Sequence, residues 1–164
     1  VFRIPAALLC AFACLACTAA PRPAGWSGTV SHVSDGDTLW VRPAAGGAPR
    51  KIRLHGIDAP ELCQAHGREA RDALLLQVLH RPVLVEPLQR DDYDRLLARL
   101  FVGGQDLGGL LVREGHAWSY RYRRSPGPYA REERAARSAR LGLFADSQAL
   151  RPYAFRRQHG PCTP

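Results

Sequence analysis

The chain has 164 residues, room for one domain around one core and too few for a multidomain machine. Hydrophobic residues make up 46%, ordinary for a soluble globular fold, while 23 basic against 15 acidic residues give a net charge of +8, which favours polyanionic partners. Lys51 is the only lysine, so the positive charge is arginine, whose planar fork matches phosphate oxygens; a solvated basic surface is the plain alternative.

At the N-terminus, Arg3 precedes an uncharged apolar run over 4–20, and Pro21-Arg22-Pro23 follows. That is the layout of a secretory signal peptide, and the run is too short to read as a membrane span. Residues 1–24 are therefore expected to be a signal peptide and linker, 25–157 the domain, and 158–164 a C-terminal tail. The product would be exported, periplasmic or secreted, with lipidation at Cys17 a secondary option. Cys10, Cys14 and Cys17 leave with the signal segment. Cys63 and Cys162 remain, which in an oxidising compartment suggests one disulfide, with two free thiols the alternative.

The domain begins as a meander. Strands are predicted over 29–33 and 37–42 around a Ser34-Asp35-Gly36 turn, then over 51–55 after a glycine-rich hairpin at 44–49. Ala70, Ala73, Leu74 and Val78 fall at helical spacing within 67–79, ahead of His80-Arg81-Pro82. Residues 83–86 and 95–102 alternate as strands, a short helix around Leu107–Leu111 stops at Gly115, and a longer one over 129–141 stops at Gly142. Five short strands with a helix between the third and fourth is the order of an OB-type barrel, so the fold class expected is α+β, mainly β: a five-stranded OB-type barrel with three helices.

Four carboxylates bracket the first three strands: Asp35 and Asp37, then Asp58 and Glu61. A hairpin brings the start of the second strand near the end of the third, so Asp37 and Asp58 are expected at one pole of the barrel. Adjacent carboxylates repel unless a cation lies between them, and an all-oxygen set suits a hard cation such as calcium. Ordinary turn-forming aspartates are the competing explanation. Arg53 lies between Ile52 and Leu54, and alternation turns it away from their face; Arg95 opens the fifth strand opposite Leu96. A cation, two arginine forks and a spare carboxylate around one phosphate are the requirements of phosphodiester hydrolysis.

The motifs Asp35-Gly36-Asp37-Thr38, Arg53-Leu54-His55-Gly56-Ile57-Asp58-Ala59-Pro60-Glu61 and Asp91-Asp92-Tyr93-Asp94-Arg95 resemble, in order and spacing, those of the staphylococcal nuclease (thermonuclease) family. The likeness continues through Gly115-His116-Ala117-Trp118 to Gly142-Leu143-Phe144-Ala145. The resemblance implies a calcium-dependent nuclease acting on DNA and RNA towards 3′-phosphate products. It further implies that Asp37, Asp58 and the Ala59 carbonyl hold Ca2+, that Glu61 orients or deprotonates the attacking water, that Arg53 and Arg95 stabilise the transition state, and that Tyr93 touches a neighbouring phosphate or the nucleotide. Asp94 departs from the family pattern, which often has glycine there, and the nucleotide-stacking tyrosine is either Tyr120 or Tyr122.

Other readings carry less. Cys63-Gln64-Ala65-His66 is half a zinc site without a second half. His55 and His116 are isolated and read as structural. Arg121, Arg123 and Arg124 either follow a nucleic acid backbone or form a solvated face. A non-catalytic nucleic-acid-binding module on the same barrel is the alternative function, but it would not need Asp37, Arg53, Asp58, Glu61 and Arg95 all together. The protein is expected to act as a monomer on DNA or RNA, with no stable membrane span.

Overall fold

A computed structural model of the chain describes residues 25–93 and 95–162. The expected signal segment, Asp94 and the last two residues of the expected tail lie outside the described residues.

Strands β1 (Trp26–Val33), β2 (Thr38–Pro43) and β3 (Arg50–Leu54) form an antiparallel meander. Alternation puts Leu39 and Val41, and then Ile52 and Leu54, inside. In β1 both Val30 and Val33 are buried although three residues apart, because the register with β2 shifts between Val30 and His32. β4 (Ile57–Asp58) leads to helix α1 (Gly67–Val78), whose Ala70, Leu74 and Val78 repeat every four residues and enter the core. β5 (Pro82–Arg90) pairs with β1, and β6 (Leu96–Val102) pairs antiparallel with β5 and parallel with β3. The β3–β6 ladder closes the barrel in the order β1-β2-β3-β6-β5, the expected OB-type topology.

β5 runs past Glu86, the expected end of that strand, although Pro87 lacks an N–H. Pro87 is absorbed at a register shift between Pro87 and Gln89. β7 (Gln105–Asp106), α2 (Leu107–Arg113), β8 (Trp118–Ser119), α3 (Ala130–Ser138) and a 3-10 turn (Gly142–Ala145) follow. A second cluster of Trp118, Ala136, Leu143 and Phe144 packs beneath them. The three expected helices are present, and a fourth, α4 (Pro152–His159), is added; its start at Pro152 and its stop at Gly160 are ordinary helix boundary signals. Among the described residues no helix is long and apolar enough to cross a membrane.

Candidate active site

The turn from β1 into β2 is built by its own acids. Asp35 Oδ1 accepts from the Asp37 N–H at 3.0 Å, and the Ser34 N–H donates to the Thr38 carbonyl at 2.9 Å. Gly36 is required by space: a Cβ there would stand 2.7 Å from that of Ala59 and 2.9 Å from that of Ala70. The acidic turn is thus pressed against both the Ala59 loop and α1, and Asp37 is left only 4% exposed.

Register then delivers Arg53. It pairs with Thr38 across β2 and β3, and the Leu54 N–H donates to the Asp37 carbonyl at 2.8 Å. Gly56, with φ of 82°, turns the chain back so that Asp58 in β4 faces the same pole, where β4 is held by β8. The Arg53 guanidinium spans the two acids: Nη1 donates to Asp37 Oδ1 at 2.5 Å and Nη2 to Asp58 Oδ1 at 3.1 Å. Asp37 Oδ2 accepts from the Ala59 N–H at 3.1 Å. Asp37, Arg53, Asp58 and Ala59 therefore meet at one end of the barrel.

This cluster holds more negative than positive charge. Burial, reinforced by the neighbouring Asp37 carboxylate, pushes Asp35 up to about 7. Burial and Asp37 likewise push Asp58 up to about 6, against the opposing cations of Arg53 and Arg156. For Arg53, burial disfavours the charged form, but Asp37, Asp58 and Asp35 outweigh it and its pKa lies above the usual arginine value. The donor chemistry fits a hard cation, since the acids offer only oxygen: Arg53 takes one oxygen of Asp58, and the two oxygens of Asp37 are shared with Arg53, Thr38 and the Ala59 N–H. Among the described residues no three His, Cys, Asp or Glu side chains converge as a complete metal cage. A cation here would rely on Asp37, Asp58, the Ala59 carbonyl, and water or substrate oxygens.

Glu61 stands in the loop after β4. Its Oε1 accepts from Nη1 of Arg156 in α4, a partner 95 positions away that no local pattern reveals. Arg95 immediately precedes β6, and because Ile52 pairs with Leu96 in parallel register, Arg95 falls on the same outward side of the β3–β6 ladder as Arg53. Tyr93 is 81% exposed, with the Arg95 guanidinium 5.4 Å from its ring centre. Asp91 organises this turn, accepting from the N–H groups of Tyr93 and Arg95 at Oδ1 and from Arg95 Nε at Oδ2. An aspartate two residues before the first N–H it accepts is an Asx-turn signal present in the sequence.

Other expectations are corrected or refined. His116 is not isolated: its Nδ1 lies 3.3 Å from His66 Nε2, and the rings stack. Cys63 is bonded to Cys162, which decides for the disulfide and takes that cysteine out of any zinc site. Arg121 does not belong wholly to a solvated cluster, since it reaches Glu133 at 3.4 Å. Glu133, 2% exposed, also binds Arg137, Arg151 and the Ser119 N–H, fixing β8 and hence β4 beneath Asp58. Tyr120 and Tyr122 are both exposed, so neither is singled out.

The family described as staphylococcal nuclease homologue matches residues 51–146. The chain is 36% identical to the protein ParB of Escherichia coli, over 93% of this chain and 92% of that one. It is 35% identical to a micrococcal nuclease of Shigella flexneri, over 84% of each chain. It is 33% identical to an uncharacterized endonuclease of Haemophilus influenzae, over 79% of this chain and 72% of the other. With the barrel closed through β3 and β6 and Asp37, Arg53, Asp58 and Ala59 gathered at its pole, these likenesses establish that the chain belongs to the staphylococcal nuclease family.

Proposed function

We propose that this protein is a calcium-dependent nuclease in which Asp37, Asp58 and Ala59 hold the cation and Arg53, Glu61 and Arg95 carry the hydrolysis of DNA or RNA. Family membership makes it a phosphodiester hydrolase acting on nucleic acid. The observation that carries the finer reading is the Arg53 guanidinium set between Asp37 and Asp58, a surplus of buried negative charge beside a phosphate-shaped donor.

When bound, calcium supplies charge neutralisation at the phosphate and a coordinated water. Arg53, on a barrel strand, presents its fork with little conformational freedom left to lose. Arg95, fastened to Asp91 through Nε, keeps its terminal nitrogens out of that bond and directed to a second edge of the phosphate. Glu61 takes the proton of the attacking water as the new P–O bond forms, the two arginines stabilise the extra charge on the equatorial oxygens, and the P–O5′ bond breaks as the departing O5′ takes a proton from solvent. Tyr93, exposed beside Arg95, is placed for a neighbouring phosphate or nucleotide.

The Cys63–Cys162 bond supports an oxidising compartment, in line with export directed by residues 1–24. Incubating the purified protein with plasmid and with RNA, in calcium or in excess EGTA, tests the whole reading. Cleavage in calcium and none in chelator is expected. Full activity in EGTA with other metals removed would refute the cation, and binding without cleavage in calcium would return the protein to the non-catalytic class.

A further inference from the structure

The loop that bears Glu61, between β4 and α1, is tied internally by Gln64. The Gln64 N–H donates to the Glu61 carbonyl at 2.9 Å, and the Glu61 N–H donates to Gln64 Oε1 at 3.2 Å. The same four residues, 61–64, are fastened from outside by the C-terminal segment. Gln64 Nε2 donates to the Leu150 carbonyl at 2.6 Å, Cys63 is bonded to Cys162, and Arg156 Nη1 donates to Glu61 Oε1. Leu150, Arg156 and Cys162 all lie beyond residue 146, where the match to the family ends.

A half-exposed ion pair contributes little to stability, so Arg156–Glu61 is poorly explained as a fold-holding bridge. Its value lies in geometry. A carboxylate that handles an attacking water must be held in one orientation, and on a loop its own backbone cannot do that. Arg156 engages Oε1, which anchors that oxygen of the carboxylate while Oε2 stays outside that bond.

We propose that Arg156 is a positioning residue for the hydrolysis: from α4 it fixes the carboxylate of Glu61, and the Cys63–Cys162 bond locks that helix against the loop. This rests on the reading of Glu61 as the group that handles the attacking water. The C-terminal segment is then part of the catalytic apparatus, and breaking the disulfide loosens the base as well as the fold.

The test is a double-mutant cycle measured as kcat at saturating calcium and substrate, on the full chain, for R156Q, E61Q and their combination, with thermal melts showing each variant folded at the assay temperature. R156Q is expected to lower kcat about tenfold, the scale of losing a supporting partner of a reacting group, with KM changed much less. In the E61Q background R156Q is expected to cost nothing further, and R156K to recover part of the loss. C63S/C162S is expected to lower kcat as well, and by less when R156Q is already present. An unchanged or raised kcat in R156Q while E61Q is inactive would overturn the proposal alone, as would an equal fractional loss in both backgrounds. Full turnover in E61Q would overturn the reading of Glu61 itself.

Discussion

Asp91 holds Arg95 at both ends, accepting from its backbone N–H at 2.9 Å through Oδ1 and from its Nε at 2.7 Å through Oδ2. One carboxylate thus sets both the turn that leads into β6 and the direction in which the guanidinium leaves it. Burial is the largest single influence on Asp91 and works against its ionised form, but the bonds from the Arg95 N–H and side chain and from the Tyr93 N–H, with the Arg95 charge, together outweigh it and hold its pKa below the ordinary carboxylate value.

Asp91→Ala is therefore expected to mimic a partial loss of Arg95. kcat/KM should fall about tenfold, less than for Arg95→Ala, because the arginine remains but is no longer aimed. Steady-state cleavage of a short oligonucleotide by the two variants decides it. An Asp91→Ala enzyme as active as wild type would mean that substrate alone orders this arginine.

The disulfide joins residues 99 apart in sequence, and closing a loop of that length restricts the unfolded chain by about 4 to 5 kcal/mol in the chain-entropy description. Protein purified under oxidising conditions should resist alkylation, and reduction should lower Tm by several degrees or more. Equal melting curves with and without reductant would mean that the bond contributes nothing to stability.

Much of the barrel was legible because a period of two leaves few choices. Ile52 and Leu54 inside oblige Arg53 outside, and the hairpin obliges Asp37 to lie near Asp58. The end of β5 was not legible, since Pro87 normally ends a strand and only pairing with β6 shows the irregularity that admits it. Glu133 and Arg156 were hidden for a different reason. Glu133 has one partner at helical spacing, Arg137, but its others lie 12 to 18 positions away, and Arg156 reaches Glu61 across 95; neither local propensity nor spacing reports such long contacts.

His66 and His116 give a pH dependence whose sign is fixed. Burial lowers both pKa values, with the neighbouring His66 adding to the effect on His116, so the folded protein resists protonation that the unfolded chain accepts. Their contribution to stability is whole above the ordinary histidine pKa near 6.5 and is lost as pH falls below it. Asp35 at about 7 and Asp58 at about 6 act in the opposite sense, because folding raises their proton affinity and stability from that source grows as pH falls through those values. The comparison that isolates the histidines is wild type against His116→Gln, by urea unfolding from pH 7.5 to 5.5. The gap between the two should narrow towards the acid end; a constant gap would assign the histidine pair no titrating role.

The carboxylates at the pole are expected to separate by function when changed one at a time. Glu61 lies on a loop and is held by Arg156, whereas Asp37 is bound by Arg53, Thr38 and the Ala59 N–H. If Glu61 takes the proton of the attacking water, Glu61→Gln should lower kcat about a hundredfold while calcium and substrate affinity largely survive. Asp37→Asn removes a negative ligand from a hard-cation site, so the calcium needed for half-maximal rate should rise and excess calcium should restore part of the rate. It also sets an amide against the Arg53 and Ala59 donors, so some loss of stability should accompany it, visible as a lower Tm. Calcium titrations of rate for both variants, run beside thermal melts, separate the two effects. Near-normal turnover in Glu61→Gln would make that residue a bystander and leave activation of the water to the cation.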